Sequence, residues 1–161
     1  MEKQIVFKIG GQQFSVPITD TEKIIHLSNL SKLPDVSNYI LGVMEAGGVL
    51  LPIIHLPKRF FNQELLDPDA PIIVVHWKGK LIGLAVDEVL SVKDFESEQV
   101  KEKAESRQIV VQQIYFSSFI QTEAGIIPVL NVNALFAGEK EAELKELLSI
   151  DTVNELVRVN E

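Results

Sequence analysis

Gly42-Val43-Met44-Glu45-Ala46-Gly47-Gly48-Val49-Leu50-Leu51-Pro52-Ile53-Ile54-His55-Leu56 is the stretch whose reading decides the fold. Its paired glycines lie between apolar flanks, which marks a hairpin turn, because glycine reaches positive φ without steric cost. The apolar run after them is too short for a membrane span and is rich in Ile, Leu and Val, so it reads as a strand buried on both faces. Pro52 cannot donate to a ladder, which predicts an edge, a bulge or a strand end at that position.

The same run occurs again. Ala124-Gly125-Ile126-Ile127-Pro128-Val129-Leu130-Asn131-Val132-Asn133-Ala134-Leu135-Phe136 overlays Gly48 to Phe60 without a gap, with Pro128 on Pro52 and Phe136 on Phe60. A weaker match sets Phe14-Ser15-Val16-Pro17-Ile18 against Ile82-Gly83-Leu84-Ala85-Val86. An apolar run with a proline at a fixed place signals internal duplication. The chain reads as two copies of one β-rich unit joined near residues 62 to 71.

Working outward, residues 4 to 18 predict a hairpin turning at Gly10-Gly11, and Thr19 to Leu30 a short strand around Ile24-Ile25. Leu33 to Leu41 predicts one or two helical turns, and Lys58 to Leu65 a short helix with Phe60 and Phe61 packed inward. Asp67-Pro68-Asp69-Ala70-Pro71 reads as a linker, followed by strands at 71–76 and 81–86 around Lys78-Gly79-Lys80, with alternation continuing through Val89 to Phe95. Ser97 to Arg107 is charged and stays open between helix and loop. Ile109 to Ile114 and Ser117 to Thr122 are strand-like. After Gly138, Leu144, Leu147, Leu148, Val153, Leu156 and Val157 form a stripe for one helix or two within 138–159, an appendage to the duplication.

Composition narrows the function classes. The 161 residues, 46% of them hydrophobic, suit one domain or two small lobes. A net charge of −8 argues against a nucleic-acid surface or docking on an anionic membrane. The absence of cysteine excludes disulfides and thiolate chemistry. No secretory signal or spanning run is visible, so the expectation is a cytoplasmic protein without membrane insertion.

Chemistry-bearing patterns are sparse. His26, His55 and His76 lie in or beside apolar strands without ligand spacing, so structural roles are favoured over a metal site. No nucleophile elbow, phosphate loop or dinucleotide fingerprint occurs. Asp87-Glu88 closes a strand, where adjacent side chains point to opposite faces. A solvated strand end or turn cap is favoured there over an acid–base pair. Gly42, Gly47, Gly48 and Gly83 admit two readings: turns and bulges, or a shallow apolar groove that a partner can approach closely.

The order of these elements resembles the CheW domain over residues 4 to about 136. The resemblance is carried by Leu33-Pro34…Tyr39-Ile40-Leu41-Gly42-Val43-Met44, by Val49-Leu50-Leu51-Pro52-Ile53-Ile54-His55-Leu56 and by Ile82-Gly83-Leu84-Ala85-Val86-Asp87-Glu88-Val89. It implies a mainly β fold of two pseudo-symmetric SH3-like five-stranded barrels, with cores near 10–60 and 72–136 and strand exchange at the ends, plus the C-terminal helix, all in a single domain. It implies no enzymatic activity and no cofactor. It implies an adaptor coupling methyl-accepting chemoreceptors to the regulatory domain of the histidine kinase CheA in a membrane-associated array, through barrel surfaces and an inter-barrel groove. Ile24, Ile25, Val43, Glu45, Gly47, Gly48, Gly83, Leu84 and Val86 are the candidate partner-binding residues. Where the family usually carries Asn-Leu-Arg-Gly, this chain has Glu45-Ala46-Gly47-Gly48, and His55 and Asn131 stand where an aspartate is common. The expectation is weaker binding to at least one array partner, which admits a divergent member that binds one partner only or serves another chemosensory pathway. A small β-barrel enzyme using Asp87 or His76 is the contrasting class, and it lacks a catalytic constellation.

Overall fold

The computed structural model describes residues 2–102 and 115–149. The fold is mainly β, in two sheets. Strands β1 (Glu2–Ile9), β2 (Gln12–Pro17), β8 (Glu88–Phe95), β9 (Val100–Glu102), β10 (Phe116–Thr122) and β11 (Gly125–Leu130) form a six-stranded sheet ordered β8-β1-β2-β11-β10-β9. Strands β3 (Thr21–His26), β4 (Ile40–Ala46), β5 (Val49–His55), β6 (Pro71–Trp77) and β7 (Lys80–Ala85) form a five-stranded sheet ordered β3-β6-β7-β5-β4. Helices α1 (Leu56–Phe61) and α2 (Glu139–Leu148) complete the described elements, with short 3₁₀ turns.

The duplication is visible in the register. Val43 pairs with Pro52 and Phe119 with Pro128, each behind a shift in the pairing, at Ile40/Gly42 in one copy and Phe116/Ser118 in the other. In each copy the proline strand then runs parallel to a neighbour, at Ile53↔Gly83 and at Val129↔Ser15. That is the correspondence read from the weak Phe14–Ile18 and Ile82–Val86 match. Both prolines are interior to a sheet, yet each stands one residue before its parallel pairing begins, where no donor is demanded of it. The sixth strand also has a counterpart: Lys101 pairs with Phe119, and Ser31 bridges Val43.

The repeats exchange their opening hairpins. β1–β2 joins the sheet of the second copy and β6–β7 that of the first. The ranges 10–60 and 72–136 therefore describe the sequence repeats but not the sheets, which draw on 21–55 with 71–85 and on 2–17 with 88–130. One large cluster fills the space between the sheets, and a smaller one lies on the far side of each.

Three local expectations shift. No helix forms at 33–41; the segment is a series of turns, and Asp35 at φ 59° breaks any helical run. α1 starts earlier than expected and stops at Phe61, because Asn62 adopts the left-handed conformation at φ 56°. Phe60 packs inward, while Phe61 stays 40% exposed. Ser97–Gln99 is a 3₁₀ turn leading into β9. The strand expected at 109–114 and the stripe residues Val153, Leu156 and Val157 lie outside the described residues.

Candidate functional site

The β4–β5 hairpin turns through Gly47 at φ 59° and Gly48 at φ 81°, between the paired residues Ala46 and Val49. Two successive positive φ values define the mirror-image turn that matches strand twist, and both glycines serve it. Glu45, Gly47, Gly48 and Val49 are exposed at this tip. A Cβ on Gly47 would stand 3.7 Å from Lys23 Nζ, so a strand from the other edge of the sheet brings an ammonium over the turn. Lys23 therefore stands over the exposed turn that carries Glu45, while Ile24, 40% exposed and next along β3, points to the opposite face of the sheet. Ile25 and Val43 are half-buried; Ile25 packs on the outer cluster of its sheet, and the Val43 backbone exchanges two 2.8 Å hydrogen bonds with Ser31.

The remaining candidates are not on a surface. Leu84 and Val86 are fully buried in the cluster between the sheets. Gly83 is buried too, and an added Cβ would meet Ile53 Cδ1 and Ile72 Cγ2, each at 2.7 Å. Around Leu84 and Val86 the expected groove is a packed seam, and alternation along β7 turns Gly83 to the opposite face of the sheet, against Ile53 and Ile72 of the outer cluster. Gly42 does not open a groove either, because the space a Cβ would take there holds Ser31 O at 2.2 Å. At Gly42 and Gly83 the close approach is made by the chain itself.

Sequence reading paired Phe60 with Phe136 but missed the roles of Tyr39, Tyr115 and Arg59 in the seam. Tyr39 and Tyr115 occupy equivalent places, since Tyr39 O accepts from His55 N–H at 2.7 Å and Tyr115 O from Asn131 N–H at 2.8 Å. Tyr39 stacks on Phe136 and Tyr115 on Phe60, both at 5.8 Å, so each repeat's tyrosine meets the other repeat's phenylalanine. Arg59 lies between them, its guanidinium 5.2 Å from the Tyr39 ring and 4.7 Å from that of Tyr115, and it donates to Leu135 O at 3.0 Å. Extending the Pro52/Pro128 overlay backwards to Tyr39 and Tyr115 would have found this signal. Burial, foremost, pushes the Tyr39 phenol above its ordinary range.

Asp87 is a turn cap. Its carboxylate accepts from Gly10 N–H at 2.8 Å and from Gln63 Nε2 at 3.2 Å. His26 and His55 each contact a backbone carbonyl, and His76 faces Glu22 at 3.0 Å. Among the described residues no group of three or more His, Asp or Glu side chains could hold a metal ion, and no helix is long and apolar enough to cross a membrane.

The CheW-like domain family model matches residues 3–140. This chain belongs to the CheW-like domain family. It is 27% identical over 143 residues to the chemotaxis protein CheW of Bacillus subtilis, spanning 86% of this chain and 88% of that one. It is 30% identical over 141 residues to a probable chemotaxis protein CheW of Rhizobium etli, spanning 86% and 89%. Its fold is that of the scaffolding protein TtCheW from Thermoanaerobacter tengcongensis, with a TM-score of 0.75 at 22% identity over 86% of this chain and 94% of the other. The chain is a chemotaxis coupling adaptor of CheW type.

Proposed function

We propose that this chain holds a methyl-accepting chemoreceptor and the regulatory domain of the histidine kinase CheA together, in the cytoplasm, as part of an array that is membrane-bound only through its receptors. The family match over residues 3–140 carries this reading. The duplicated architecture supports it, because one rigid body offers two similar outer strands. β3 and β8 occupy equivalent sheet edges, and Ile24 opposite Ile73 corresponds to Val92 opposite Ile5. Both are exposed, at 40% and 50%. Apolar side chains at an exposed edge are suited to desolvated contacts that carry most of an interface's energy. A pull-down of the tagged chain from its own cell extract tests the reading: kinase and receptor should be recovered with wild type, and Ile24→Asp or Val92→Asp should each lose one of them. Recovery of neither by a folded wild-type chain overturns it.

A divergent member is favoured by one observation, the hairpin tip. Gly47 offers no side chain there and Glu45 would repel an acidic partner. Lys23 lies close enough to restore part of a positive field. The proposal is that one partner is bound through Lys23 and Glu45 with altered preference.

A further inference from the structure

His55 is 5% exposed, and its two ring nitrogens have opposite tasks. It is the N-cap of α1, and Nδ1 accepts the backbone N–H of Lys58 at 3.1 Å. Nε2 lies 3.3 Å from Glu64 O, which can only accept. The partners therefore assign the neutral ring with its hydrogen on Nε2, and that form satisfies both bonds. A second proton, on Nδ1, would point at the Lys58 N–H and remove the cap. It would also add positive charge at the positive end of a helix. The charged groups facing the ring are Lys58 on α1 and Glu64 beyond it, which pair with each other. The neighbours Ala85 on β7 and Tyr39 in the turn before β4 bring no charge.

What α1 holds gives this cap a reach beyond one helix. Phe60 packs on Phe14, Phe116 and Tyr115 at 5.7, 5.9 and 5.8 Å, and Arg59 bonds Leu135 O, all contacts with the strands and repeat across the seam. We propose that His55 is a proton-sensitive cap: uptake of one solvent proton on Nδ1 breaks the bond from Lys58 N–H, loosens α1, and so slackens the Arg59–Phe60 clasp between the two sheets.

The test is a nitrogen-detected NMR titration of the full-length protein from about pH 8 to about pH 5, spanning the range where histidines titrate. It should show His55 hydrogenated on Nε2 at the start. As the ring takes up its proton, exchange protection of the Lys58 and Asn62 amides should fall by about fivefold or more, the scale of losing one N-cap. His55→Asn, which caps without titrating, should keep that protection in acid, while a His26→Gln/His76→Gln variant should lose it as wild type does. Hydrogen on Nδ1 at neutral pH overturns the proposal. So does protonation of His55 with no change at Lys58 and Asn62, which needs no variant to observe. An acid loss that persists unchanged in a folded His55→Asn variant also overturns it.

Discussion

At Gly83 no side chain fits: a Cβ would press within 2.7 Å of Ile53 and Ile72 inside a closed core. Gly83→Leu should destabilise by about 1–3 kcal/mol or more through overpacking, and lose partner binding only in proportion to lost fold. Urea unfolding alongside a binding titration checks this, and loss of binding at full stability would contradict it. The hairpin tip behaves differently, because Glu45 is solvent-exposed. Glu45→Asn should leave stability within about 0.5 kcal/mol, as exposed substitutions do. It should tighten binding to a partner whose contacting surface is acidic, with a salt dependence that Lys23→Ala removes. Gly47→Arg is the less informative change: at φ 59° the arginine would strain the turn by about 1–2 kcal/mol and would meet Lys23. The double variant Gly47→Arg/Glu45→Asn should therefore show tighter binding only where the new charge contact outweighs that strain. Affinity by calorimetry, read beside thermal stability, separates the two.

The hairpins were the most legible elements, since Gly10-Gly11 and Gly47-Gly48 both turn through two positive φ values between alternating apolar residues. The turn region at 33–41 was not legible, because Pro34-Asp35 can start a helix or a turn, and only the left-handed Asp35 backbone decides it. The candidate site divided along the same line. Glu45, Gly47 and Gly48 were readable as an exposed turn, whereas Leu84 and Val86 look alike as strand residues whether they face solvent or a second sheet. Which sheet covers them follows from the hairpin exchange, a long-range pairing that no local pattern encodes. α2 is held by Leu144 in the core and by Glu143, which accepts from Ser37 N–H at 2.9 Å and from its hydroxyl at 2.6 Å. Glu143→Ala should cost about 1–3 kcal/mol by leaving those donors half-buried, measured by denaturant midpoint. Glu141 on the same helix is held below the usual carboxylate range, first by the hydrogen bond from Lys78. A lowered folded value means its contribution is present above the ordinary glutamate range and is lost as pH falls. Lys78→Ala should flatten the acid limb of the stability profile below about pH 5, where glutamates titrate.

For the whole molecule, the exchanged hairpins and the tyrosine–phenylalanine pairs make the two repeats one body, so neither half is expected to fold when separated. Expressing 1–66 and 67–161 apart should give unfolded chains that recover native circular dichroism only on mixing. A single rigid body with two similar edges is what coupling requires, because each partner is then held in a fixed relation to the other. The most direct measurement is therefore sequential calorimetry: saturate the full chain with the kinase's regulatory domain, then titrate a receptor tip. Coupling predicts that both bind, at a ratio of about one each, and that the second titration proceeds with the first partner still in place. A folded chain that binds neither partner, or releases the kinase domain stoichiometrically as the receptor tip binds, would contradict it.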